Sequence, residues 1–194
     1  INEIMASNGS IIQDVDGDYS DWIEIYYTGN RPINLQGYYL SDNPNNPTKW
    51  SIPKVLLEPG EHVLIWASGK DKMGVNGEIH TDFSISAAGE SIYLVSPNGR
   101  KVIDTIEAVA IPRDRSYGRI NDGGEEWEFF DVPTPGASNT GTEGYTAVLQ
   151  PPIFSQTGGF YQENFLLELK AEEEATIYYT LDGSEPTEGS LLYS

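Results

Sequence analysis

The sequence predicts an all-β protein whose main part is an antiparallel β-sandwich. Three observations predict it. Short apolar runs recur with a period of two, as a strand with one buried face requires. The 12 Tyr, 4 Trp and 6 Phe are residue types that favour pleated, half-buried surfaces. The 20 Gly and 12 Pro punctuate the runs with turns and leave little room for long helices. A chain of 194 residues is enough for one or two domains and for a core without covalent staples.

Taken in chain order, strands are expected over 2–6, 22–28, 33–40, 50–52, 62–67, 83–85, 91–96, 101–106, 117–120 and 127–130. Alternation is clearest where Ile23, Ile25 and Tyr27 oppose Trp22, Glu24 and Tyr26, and where Val63, Ile65 and Ala67 oppose Leu64 and Trp66. Turns are expected at Asp16-Gly17, Pro59-Gly60, Pro97-Asn98-Gly99 and Asp122-Gly123-Gly124. The core candidates are Trp22, Ile25, Leu40, Ile65, Phe83 and Leu94. Trp22 and Ile25 conflict, because odd spacing on one strand puts them on opposite faces.

Residues 132–144 are rich in Pro, Gly, Ser and Thr and read as a domain end running into a linker. The expected division is a sandwich over 1–140, a linker over 141–150, and a second β module over 151–194. In the second module Phe165, Leu167, Leu169 and Ala171 should face inward along one strand. A hairpin should follow, turning at Asp182-Gly183. Some fifty residues fall short of the roughly 100 of a full sandwich. The second module is therefore expected to be partial, with the face of Phe165, Leu167, Leu169, Ile177 and Tyr179 only partly covered. The chain opens directly on a strand-like segment, so an upstream leader or domain is expected.

Charge narrows the function. The formal net charge is −19, and both parts are acidic. Such a surface repels phosphate backbones and anionic lipids, so nucleic acid is not an expected partner. No apolar run approaches the roughly 20 residues of a membrane span, so no membrane insertion is expected. The absence of Cys removes disulfides, thiolate metal sites and thiol nucleophiles. The two histidines, His62 and His80, sit in separate segments without a nucleophile motif nearby, and His62 reads as packing. No catalytic residue is nominated.

Asp14, Asp16, Asp18 and Asp21 offer oxygens at the spacing a hard cation such as Ca²⁺ takes, and calcium is the one cofactor considered. The position where an EF-hand loop needs a bidentate Glu is Ile25, and the glycine is misplaced. The plainer reading takes precedence: a solvated acidic loop, with Asp21 and Glu24 held by hydrogen bonds. The arginines of Arg113-Asp114-Arg115-Ser116-Tyr117-Gly118-Arg119 are expected to be paired internally. The adjacent rings Tyr26-Tyr27, Tyr38-Tyr39 and Tyr178-Tyr179 put one member of each pair on the opposite face; ordinary cross-strand packing takes precedence, with stacking of an exposed ring on sugars or partners as the alternative.

Several segments, in order, carry a resemblance. They include Ile1-Asn2-Glu3-Ile4-Met5-Ala6-Ser7-Asn8, Asp21-Trp22-Ile23-Glu24-Ile25-Tyr26, Gly37-Tyr38-Tyr39-Leu40-Ser41-Asp42, Ser116-Tyr117-Gly118-Arg119 and Pro133-Thr134-Pro135-Gly136-Ala137-Ser138-Asn139. Together they resemble the lamin tail domain in its secreted bacterial form, a resemblance that implies an immunoglobulin-like antiparallel β-sandwich over residues 1–140. The segment Ala175-Thr176-Ile177-Tyr178-Tyr179-Thr180-Leu181-Asp182-Gly183-Ser184-Glu185-Pro186-Thr187, with Ser190-Leu191-Leu192-Tyr193-Ser194, resembles the C-terminal module of chitobiases and β-hexosaminidases. The resemblance implies a non-catalytic structural or interaction module of a larger secreted or surface bacterial protein, located outside the cell or at its surface. Its partners would be the parent protein's other domains, an extracellular protein or a glycan. The alternative is a carbohydrate-binding accessory domain that uses exposed aromatics.

Overall fold

A computed structural model describes residues 1–149, 151–171 and 175–193. Gln150 in the expected linker, Glu172 to Glu174, and Ser194 of the quoted motif lie outside the described residues. The chain divides into two units, Ile1–Ala147 and Val148–Ser194.

The first unit holds fourteen strands: β1 (Glu3–Met5), β2 (Asp21–Tyr26), β3 (Ile33–Asn34), β4 (Tyr39–Ser41), β5 (Trp50–Ser51), β6 (Leu56–Leu57), β7 (His62–Ala67), β8 (Lys72–Met73), β9 (Ile79–His80), β10 (Ile92–Val95), β11 (Val102–Ile106), β12 (Ser116–Arg119), β13 (Trp127–Phe130) and β14 (Gly144–Tyr145). Eight of them form one sheet in the order β14-β13-β12-β1-β2-β7-β9-β8. Four form a second sheet, β11-β10-β4-β5, and β3 pairs with β6. Every pairing is antiparallel except β7 with β9. Among the described residues there is no helix, and none long and apolar enough to cross a membrane.

All six core candidates are buried. The Trp22–Ile25 conflict resolves because β2 lies inside the eight-stranded sheet and both of its faces are covered. Ile23 pairs across to Ile4 and Ile65 on one face. On the other face Trp22 lies beside Met5 and Trp66, and Ile11, Ile12 and Leu64 close over them. Alternation therefore marks the strand correctly, but the loop over residues 7–20 roofs the face that would otherwise meet water.

Three expectations are corrected. The expected strand over 33–40 is two strands with a turn between them, where Tyr38 N–H donates to the Leu35 carbonyl. Phe83 and Ile85 are buried, but residues 83–85 make only an isolated bridge, Ser68 to Ser84. Within the linker expected over 141–150, Gly144 and Tyr145 form β14, which pairs with β13 through Phe129–Tyr145 and Phe130–Gly144. Cross-strand hydrogen bonds thus carry the first unit to Ala147.

The second unit has two hairpins, β15 (Ile153–Phe154) with β16 (Leu169–Lys170), and β17 (Tyr178–Tyr179) with β18 (Leu191–Leu192). The Tyr193 hydroxyl links them by accepting the Leu169 N–H at 2.9 Å. None of its described residues is fully buried. Of the expected strand 165–171 only Leu169 and Lys170 pair, and Phe165 and Leu167 are 45% and 41% exposed. Asp182-Gly183 does turn, with the Asp182 carboxylate accepting the Ser184 N–H and hydroxyl. The hairpin it was expected to close instead returns only at Leu191, because residues 180–190 form a longer loop.

Candidate functional site

The nominated carboxylates separate. Asp14, Asp16 and Asp18 converge, with one oxygen from each lying within 4.8 Å of the others. The convergence is local backbone chemistry: the Asp14 carboxylate accepts the N–H of Asp16 at 3.0 Å and of Asp18 at 3.1 Å, and Gly17 takes a φ of 86° to close the turn. Asp21 is not part of the group. It accepts the Asn8 N–H at 3.2 Å, while the Asn8 side chain donates to the carbonyls of Ile12 and Ser20. Asp21 thus staples the two ends of the roof loop, and burial pushes its carboxyl up to about 6.

At the centre of the acidic group stands Lys70. Its ammonium lies 2.5, 2.7 and 2.8 Å from Asp14, Asp16 and Asp18, and Lys72 adds a second contact to Asp16 at 2.5 Å. Burial alone would raise the Asp14 carboxyl, but Lys70, the Ser20 hydroxyl and two backbone N–H groups hold it down to about 2. An ammonium has three donors, and here each faces one carboxylate. Lys70 lies 54 residues from Asp16, so no spacing rule within the loop could have supplied it.

A second polar constellation was not nominated from the sequence. Glu3 and Glu24 are cross-strand partners on the roofed face and are fully buried. Glu3 accepts the Ser116 hydroxyl, the Thr134 N–H and, at 2.9 Å, the Thr134 hydroxyl. Glu24 accepts Asn2 Nδ2 at 3.0 Å and the Gly136 N–H at 2.7 Å. Asn139 donates to the Arg119 carbonyl at 2.9 Å, and its Oδ1 lies 2.6 Å from the Thr134 hydroxyl, sharing that group's one proton with Glu3. Burial pushes the Glu24 carboxyl up to about 8, against the pull of Asn2 and Gly136, and Glu3 and Asp122 push the same way. Glu3 is raised too, again mainly by burial.

This network explains Pro133-Thr134-Pro135-Gly136-Ala137-Ser138-Asn139. The segment is a strap laid across the sheet, and its backbone and hydroxyl donors are met by two sheet carboxylates. It also explains Gly118, where a Cβ would lie 2.8 Å from Asn139 Nδ2 and 2.9 Å from Glu3 Cγ. The signal was present in the sequence: a Glu amid large apolar residues on each of two adjacent strands needs buried donors. His62 packs against Tyr26 with ring centroids 4.7 Å apart and the planes tilted by 42°, and its Nε2 lies 3.6 Å from Asp122, too far for a hydrogen bond.

The arginine cluster is paired as expected. Arg113 faces Asp114, Arg115 faces Asp131, and Arg119 makes contacts of 3.0 and 2.9 Å to Asp104. Asp114, at a φ of 57°, also accepts the N–H groups of Gly9 and Ser10, pinning the roof loop from its other side. The adjacent tyrosine pairs are half-buried; the exposed rings are instead Tyr19, Phe154, Phe160, Tyr161 and Phe165.

A family model described as Lamin Tail Domain matches residues 1–110, and one described as Chitobiase/beta-hexosaminidase C-terminal domain matches residues 156–194. No curated protein and no solved structure gives a significant match.

Proposed function

The chain belongs to the lamin tail domain family, and on that footing we propose that it serves as a non-catalytic structural or interaction module of a larger secreted or cell-surface protein. The observation that carries the reading is the use made of the carboxylates. Glu3, Glu24 and Asp21 each accept donors that tie a loop to the sheet, Asp114 ties the roof loop to the segment before β12, and Asp14 closes its own turn. A glycosidase needs two carboxyl groups flanking an open bond-cleaving site. Here Glu3 and Glu24, whose carboxyls are raised by burial and face one another across adjacent strands, are sealed beneath the strap. A sandwich clamped in this way is a rigid element for holding neighbouring domains apart or offering its loops to a partner.

The acidic surface supports an extracellular or surface setting, away from nucleic acid, as does the C-terminal match to a module of glycan-processing enzymes. Two measurements test the proposal. The chain should turn over none of a panel of glycosides, esters and phosphoesters; turnover abolished by Glu24→Gln in a folded protein would refute it. An antibody against the chain should find the full gene product in the medium or on the cell surface, and exclusive recovery from the cytosol would refute that part.

A further inference from the structure

The second unit carries a concavity of about 590 Å³ whose lining includes Phe154, Gln156, Thr157, Tyr161, Phe165 and Leu167. The volume lies in the range of roughly 300–1,000 Å³ found for small-molecule sites. Two features set its chemistry. Three aromatic rings share it, and the Tyr161 and Phe165 rings meet edge to face with centroids 4.5 Å apart. No lining residue is charged, in a chain where charged residues make up 21% and the net charge is −19.

The site is also built rather than incidental. The Tyr161 hydroxyl donates to the Thr157 carbonyl at 2.5 Å, which fixes the ring against the loop it closes. Phe154 is held by its pairing with Leu169, and Ser155 continues the ladder to Glu168 at 2.9 Å. The rings, the Gln156 carboxamide and the Thr157 hydroxyl therefore line one cradle, with the apolar groups outnumbering the polar ones.

We propose that this cradle binds a neutral pyranose chain. The C–H face of a sugar ring is apolar and lies flat on an aromatic ring, while its equatorial hydroxyls need amide and hydroxyl partners at the edge. A charged ligand would find no counter-charge in the cradle, and an anionic one would meet the chain's overall negative field. The assignment goes beyond the module reading and does not depend on it.

Isothermal titration of the full chain with cellotetraose, maltotetraose and chitotetraose tests the site and separates the sugar classes. Saturable binding of at least one is expected. Phe165→Ala should weaken it at least tenfold, and Gln156→Ala, which leaves the aromatic floor intact, several-fold. Phe160→Ala should change nothing, because that exposed ring does not line the cradle. Absence of binding to all three sugars at millimolar concentration would overturn the proposal. So would equal losses in the Phe160 and Gln156 variants. Self-association seen by light scattering and abolished by Phe165→Ala, without any sugar binding, would assign the cradle to a second copy of the chain and overturn it too.

Discussion

Glu24 offers a direct test of how the strap is held. Its carboxyl titrates near 8 in the folded protein against an ordinary value of 4.5, because burial disfavours the charged form. The folded state therefore keeps a proton that the unfolded state has released between those two values. Stability from this group is fully present below about pH 4.5 and is lost as pH rises towards 8. The whole shift is worth about 5 kcal/mol, and roughly half of it falls between pH 5.5 and 7.5. Glu24→Gln removes the titration. It also sets an amide donor against either Asn2 Nδ2 or the Gly136 N–H, a fixed loss of about 1–3 kcal/mol. Because the wild type loses more than the variant's fixed deficit, the stability gap between them should shrink and then reverse as pH rises towards 8. Urea unfolding followed by tryptophan fluorescence measures it cleanly, since Trp22, Trp50, Trp66 and Trp127 all lie in the first unit. Parallel stability–pH curves for the two proteins would refute the reasoning and show that the strap's donors keep Glu24 ionised.

Three further outcomes are expected. Asn139→Ala should cost about 1–3 kcal/mol by the same unfolding assay, because it strips the half-buried Arg119 carbonyl of its Asn139 donor and leaves the Thr134 hydroxyl with Glu3 alone. Leu40→Ala, at a fully buried position on β4, should cost about 3 kcal/mol without affecting the second unit, as resolved by amide exchange across Tyr178 and Tyr179. Millimolar calcium should leave the melting temperature of the wild type unchanged, because Lys70 already faces Asp14, Asp16 and Asp18. A rise would mean that a divalent ion displaces the ammonium.

Period-two alternation placed β2, β7, β10 and β13 within a residue or two, and the buried set from Trp22 to Leu94 was legible from side-chain type alone. The turn at Asp16-Gly17 was legible too, since an Asp carboxylate captures N–H groups two residues on. Those are local effects, with cause and consequence a few residues apart. The family resemblance likewise rested on segments whose order the chain preserves. What the sequence alone could not decide is which polar groups meet across long separations. Lys70 reaches Asp14 over 56 residues, Thr134 reaches Glu3 over 131 and Gly136 reaches Glu24 over 112. A carboxylate costs several kcal/mol to bury unless donors await it, and only the folded chain brings donors from the strap to the sheet. Composition thus determined the fold class, the charge and the inventory of acids. Tertiary structure decided which acids became clamps, because desolvation makes each one's role depend on the partners the fold places within 3 Å of it.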